Sequence, residues 1–234
     1  VSERINEEPA FVLHTRPWRE TSLIVDVISR HHGRVGLVAR GARRQSASIK
    51  ARLMPFQPLH LAWFGKGQLR TLHGAEWMGG DLHLRGHALM CGFYLNELLL
   101  RLLPEGDAHE TLFDRYQNTL HLLSRATDFE PVLRRFELDL LSDLGYAQPL
   151  GHTASGEHIN PGQRYGYALE TGVIDATPHA PSYAGQTLID LAQGDLSDAG
   201  TLAEGKLLMR ALLAHYLGEK PLATRQLLID LQKL

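Results

Sequence analysis

The chain has 234 residues, 24 Lys plus Arg against 26 Asp plus Glu, 44% hydrophobic residues and one cysteine. This is the composition of a soluble globular protein, long enough for one large or two small domains whose cores need no disulfide or metal. A lone Cys91 excludes an intramolecular disulfide and a multi-cysteine zinc site and fits a reducing cytoplasm. No run approaches the roughly 18 apolar residues of a membrane span, so no membrane partner is expected. The opening VSERINEEPA is charged and polar, unlike a secretory signal.

In chain order, residues 9–80 read as strands. AFVLHTR (10–16) ends before Pro17. TSLIVDVIS (21–29) alternates and is rich in β-branched residues, and a His31-His32-Gly33 turn leads to RVGLVARG (34–41). QPLHLAWF (57–64), a Gly65-Lys66-Gly67 hairpin turn and QLRTLHGAEW (68–77) follow. A short helix is predicted near 46–53. Five strands in about 70 residues, with an insertion between the third and fourth, match an OB-fold barrel, with an SH3-like barrel as the competing architecture. After Gly80 the period becomes helical: 84–103 stops at Pro104, 109–126 follows, and EPVLRRFELDLLSDLGY has Pro131 in its first turn and Gly145 as a C-cap. Residues 146–183, rich in Gly, His, Pro and Tyr, read as irregular. GQTLIDLAQG, AGTLAEGKLLMRALLAHYLG and PLATRQLLIDLQKL close the chain as helical patterns. The expectation is therefore an α+β protein of two domains. Residues 1–80 form a five-stranded OB-fold nucleic-acid-binding barrel, and 81–234 form a mostly α-helical domain with an irregular insertion.

Charge divides the same way. Residues 1–80 hold twelve basic and six acidic side chains, the remainder twelve and twenty, for balances of +6 and −8. No carboxylate occurs between Asp26 and Glu76. A surface that neutralises several phosphates gains affinity by releasing counterions, and OB-folds add aromatic platforms on which bases stack. The candidate DNA-binding residues are Arg30, Arg34, Arg40, Arg43, Arg44, Lys50, Arg52, Lys66 and Arg70, with Trp18, Phe56, Trp63 and Phe64 as possible stackers or core residues.

These segments carry a resemblance. LHTRPWRETSLIVDVISRHHGRVGLVARGARR resembles the start of the RecO family of bacterial recombination mediators. The similarity continues through PFQPLHLAWFGKGQLRTL, YLNELLLRLLPEGDAHETLFDRY, LRRFELDLLSDLGYA and HYLGEKPLATRQLL, in order and over nearly the whole chain. The resemblance implies an OB-fold followed by a helical domain. It also implies binding of single- and double-stranded DNA, annealing of complementary strands, and action with RecR to load RecA onto DNA coated by single-strand-binding protein. Many members carry a four-cysteine zinc module after the LGY helix. Here His152 and Ser155-Gly156 stand at that place and the cysteines are missing, so the chain resembles a zinc-less branch and no cofactor or metal is expected.

Within PVLRRFELDLL, adjacent Arg134 and Arg135 point about 100° apart on a helix, beside Phe136. The resemblance assigns Arg134, Arg135 and Phe136, and the first arginine, Arg134, in particular, to the acidic C-terminal tail of single-strand-binding protein. The alternative is that both arginines pair with Glu130, Glu137 or Asp139 on their own helix. Among the thirteen histidines, His83 and His87 have a spacing that can hold a metal, but no complete catalytic or metal motif is present. His83 and His87, four apart, lack the Glu of a zinc-protease motif, and His152 and His158 flank a loop. No nucleophile elbow, phosphate loop or carboxylate pair is present, so a non-enzymatic protein is expected, and the resemblance implies a cytoplasmic, nucleoid-associated one. An RNA-binding OB-fold protein is the alternative.

Overall fold

The computed structural model describes residues 4–44, 49–80, 82–147, 149–218 and 220–224. Strands β1 (Arg4–Trp18), β2 (Ser22–Ser29), β3 (Gly33–Ala39), β4 (Leu59–Phe64) and β5 (Leu69–Trp77) close into a barrel of order β1-β2-β3-β5-β4, with helix α1 (Ile49–Arg52) between β3 and β4. All neighbours pair antiparallel except β3 and β5, which run parallel from Gly36↔Leu69 to Val38↔Thr71. The protein is α+β, an OB-fold barrel followed by a largely helical region.

β1 extends past the predicted stop at Pro17, which pairs with Leu23 near the strand's end. A proline there forfeits little ladder bonding, and that is why it does not end the strand. The insertion helix covers only 49–52; the earlier part of its predicted span, 46–48, lies outside the described residues. Alternation along the strands sends Val12, Val25, Val27, Leu37, Leu61 and Trp63 into the barrel core. Phe11, on the opposite face of β1, sets its ring 5.5 Å from Phe113 and 5.4 Å from Tyr116. Both faces of β1 are therefore buried.

Helices α2 (Gly86–Leu102) and α3 (Glu110–Arg125) belong to the same compact unit as the barrel, which spans residues 1–126 and 221–234; residues 127–220 form the second. A buried polar chain ties the first unit together. The register of β1 slips at Leu13, taking its carbonyl out of the ladder. Asn96 of α2 donates to that carbonyl at 2.9 Å and accepts from the Tyr116 hydroxyl of α3 at 2.6 Å. Burial pushes the Tyr116 hydroxyl pKa up, so the phenol remains a donor.

In the second unit, α4 (Glu130–Asp143), α5 (Gly185–Gln193) and α6 (Ala199–Leu217) accompany a small antiparallel sheet of β6 (Arg164–Ala168), β7 (Gly172–Asp175) and β8 (Tyr183–Ala184), in the order β7-β6-β8. This sheet corrects the reading of 146–183 as irregular. Its strands are two to five residues long, too short to show a period. They are held by buried Tyr165, Val173 and Tyr183. Glu204 of α6 accepts from the Ala184 N–H at 2.7 Å and from Arg164 at 3.0 Å, fastening helix to sheet. Burial pushes the Glu204 pKa up, but hydrogen bonds from Ala184, Arg164 and Thr187 outweigh it, and the carboxyl titrates below its usual range. The last helical pattern of the chain lies outside the described residues beyond Thr224. Among the described residues no helix is long and apolar enough to cross a membrane.

Asn96→Ala leaves the Leu13 carbonyl without this donor and lowers stability by about 1–3 kcal/mol, read as a shift in the urea midpoint at constant slope. Because the folded pKa of Glu204 is depressed, its contribution is full above the ordinary carboxylate range and is lost as pH falls through the depressed value. Glu204→Gln removes that portion of the acid dependence, measurable as a shallower loss of thermal midpoint on acidification.

Candidate nucleic-acid interface

The basic residues predicted as one surface fall into separate groups. At one end of the barrel, the turn after β3 is pinned by fully buried Ala42 and by the Arg43 N–H, which donates to the Thr21 carbonyl of the β1–β2 turn at 2.8 Å. The Arg44 N–H closes the turn onto Gly41, whose φ of +69° suits glycine. With the backbone fixed this way, the Arg40, Arg43 and Arg44 side chains are left exposed. The same link brings in Arg19, whose carbonyl accepts from Arg43 Nη1 at 3.3 Å. The Arg19 guanidinium lies 5.9 Å from the Trp18 ring centroid, and Trp18 is 37% exposed. Among the described residues no carboxylate pairs with Arg19, Arg40, Arg43 or Arg44. Glu20 is the one acid in the β1–β2 turn.

At the opposite end of the β2–β3 hairpin the arginines are engaged. Arg30 reaches Asp114 at 2.9 Å and Glu110 at 3.7 Å on α3. Arg34 donates to the Leu103 carbonyl at 2.8 Å and pairs with Glu105 at 3.2 Å. These two join hairpin to helices, and their charge is locally neutralised. Lys66 sits exposed on the β4–β5 turn. Arg70 lines a cleft of about 240 Å³ together with Arg34, Gln68 and Glu105. Arg52 donates to the Ala75 carbonyl at 3.2 Å, and Lys50 is exposed beside it on α1. Of the aromatics, Phe56 and Trp63 are buried, whereas Trp18 and Phe64 reach the surface. Sequence reading missed Arg19 and Trp77. Arg19 lies outside the acid-free run, and the Leu23↔Ala39 register together with the Arg43–Thr21 bond brings the β1–β2 turn to the exit of β3.

On α4, Arg134 is buried and pairs with fully buried Glu137 at 2.6 Å. Arg135 is half-exposed, bonds Asp139 at 3.2 Å and lies against Gly194. Both therefore make the same-helix pairs that the sequence left open, and Phe136 is a core residue. His152 and His158 face each other across a β-bridge with ring centroids 4.5 Å apart. Among the described residues no group of three His, Cys, Asp or Glu side chains is placed to hold a metal ion.

The family model described as "Recombination protein O N terminal" matches residues 4–80, and "Recombination protein O C terminal" matches 83–226. The chain belongs to the RecO family. It is 52% identical to the DNA repair protein RecO of Thiobacillus denitrificans over 242 residues, covering 99% of this chain and 94% of that one. It is 51% identical to that of Nitrosospira multiformis over 237 residues, covering 99% and 98%, and 50% identical to that of Aromatoleum aromaticum over 236 residues, with the same coverage. The RecO N-terminal match coincides with the barrel, and the C-terminal match takes in both α2–α3 and the second compact unit.

Removing one member of a buried ion pair takes a charge-assisted bond from the other at a desolvated site. Arg134→Ala is therefore expected to destabilise the fold by about 3–5 kcal/mol, visible as a lower denaturation midpoint. Arg135→Ala, at an exposed pair, costs less than about 1 kcal/mol.

Proposed function

We propose that this chain is a DNA repair and recombination mediator that binds single- and double-stranded DNA backbones through the arginine end of its barrel. The observation that carries this reading is the convergence of Arg19, Arg40, Arg43 and Arg44, free of carboxylate partners, beside exposed Trp18. Guanidinium groups bind phosphate through paired donors, and a nearby aromatic face accepts an unpaired base. Membership of a family whose relatives are named DNA repair proteins supports the same reading.

In this proposal the barrel screens phosphate repulsion between two strands and leaves their bases free, so complementary strands anneal without nucleotide hydrolysis or a metal. The chain acts in the cytoplasm at the nucleoid, with RecR, to load RecA onto DNA coated by single-strand-binding protein. The acidic tail of that protein docks on α4. Arg135 carries the exposed guanidinium that meets a tail carboxylate, while Arg134 and Phe136 hold the helix from beneath.

The test is a double charge reversal, Arg43→Glu with Arg44→Glu. Each phosphate contact contributes roughly one unit to the slope of log affinity against log salt. The variant should bind single and double strands more weakly, with a slope shallower by about two. Affinity and slope both unchanged would place the DNA site elsewhere. Tighter binding of matched RNA than of DNA by the wild type would favour an RNA-binding role.

A further inference from the structure

The barrel unit has a second surface that the arginine end does not use. Beside α1, between the end of β5 and the first turns of α2, lies an open cleft of about 760 Å³, within the roughly 300–1,000 Å³ of small-molecule sites. Met54, Trp77, Leu82 and Phe93 wall it, Phe56 contributes to the floor, and Arg52 stands at its edge. Trp77 is 58% exposed and Met54 56%. Adjoining large apolar side chains left open to water mark an interaction site more often than chance surface.

The floor is built by the fold. Phe56 has φ +68°, a left-handed conformation that a bulky residue rarely adopts. Its ring packs edge-on to Phe93 at 5.1 Å, in a notch above α2 where Gly92 lacks a Cβ. A Cβ on Gly92 would stand 2.9 Å from the Phe56 ring and 2.7 Å from Leu84. Arg52 is held at the wall by its bond to the Ala75 carbonyl, with further guanidinium donors to spare. Exposed Lys50 lies on the same short helix. Glu76, next to Trp77 on β5, points to the other side of the strand.

We propose that this cleft receives an unpaired nucleobase of single-stranded DNA, stacked on Trp77, with a flanking phosphate on Arg52. The proposal rests on the reading of the barrel as a DNA-binding module and gives it a means of discrimination. Charge complementarity selects the occupant. Arg52 stands on the wall and no Asp or Glu is among the described lining residues, and an aromatic wall accepts the π-face of any base. A paired base is stacked within its duplex and cannot enter without being extruded. The cleft therefore favours single strands, and it does so apart from Trp18 at the arginine end.

The experiment uses the full chain. In a Trp18→Phe background the fluorescence comes from exposed Trp77 and buried Trp63. A thymidine oligonucleotide should quench it, and an abasic strand of equal length should bind without quenching. In the otherwise unaltered chain, Trp77→Ala should weaken oligonucleotide binding about tenfold, equivalent to ~1.4 kcal/mol and in the range of one stacked base. Duplex affinity should be unchanged, and Trp77→Phe should restore single-strand binding. Unaltered oligonucleotide affinity in Trp77→Ala, or binding without quenching, overturns the cleft and leaves the DNA-binding reading intact. Failure of the wild type to bind any DNA overturns both. Quenching by an acidic peptide ending in Phe, and not by the oligonucleotide, makes the cleft a peptide-docking site and overturns the proposal.

Discussion

Three rungs of parallel pairing between β3 and β5 close the barrel, and the placement of every surface residue on it depends on that closure. Without them two strands would offer unpaired edges. The approach is tight at Gly36, where a Cβ would stand 3.1 Å from the Leu69 side chain and 3.2 Å from the Gln68 carbonyl. Any larger residue would press on the closing strand. Once the sheet is closed, the β2–β3 hairpin has two ends with different surroundings, one beside α2 and α3 and the other beside the β1–β2 turn.

Those surroundings decide what each arginine does. The guanidinium is charged at both ends of the hairpin, but its partners differ. Arg30 and Arg34 meet Asp114, Glu105 and a helix-terminal carbonyl, where the charge stabilises packing. The Arg43 guanidinium meets the Arg19 carbonyl, and Arg40 and Arg44 are exposed, so the charge remains available to a polyanion. An acid-free stretch of sequence therefore does not equate to an acid-free surface, because the carboxylates that neutralise it come from residues more than seventy positions away.

The same principle governs α4. Arg134 and Arg135 are neighbours in sequence, yet one is buried against Glu137 and the other half-exposed beside Asp139. Desolvation makes the first pair a matter of fold integrity, and solvent screening makes the second weak and exchangeable. Only the second could trade its carboxylate for one on a partner at small cost.

Hydrophobic period and turn chemistry alone determined the barrel-then-helices order. The β-branched run in SLIVDVIS, the glycine-flanked Lys66 turn, Pro131 and Gly145 each encode local geometry that packing had no reason to override. The basic character of residues 30–52 and the family resemblance were equally legible. The sheet at β6–β8 was not, because strands of two to five residues carry no period and are stabilised by Tyr165, Val173 and Tyr183 packing in three dimensions. Nor could sequence separate Arg34 from Arg43, or Trp63 from Trp77. Pairing register, closure and the distant carboxylates set which charge is neutralised and which ring is buried, and those are properties of the tertiary structure.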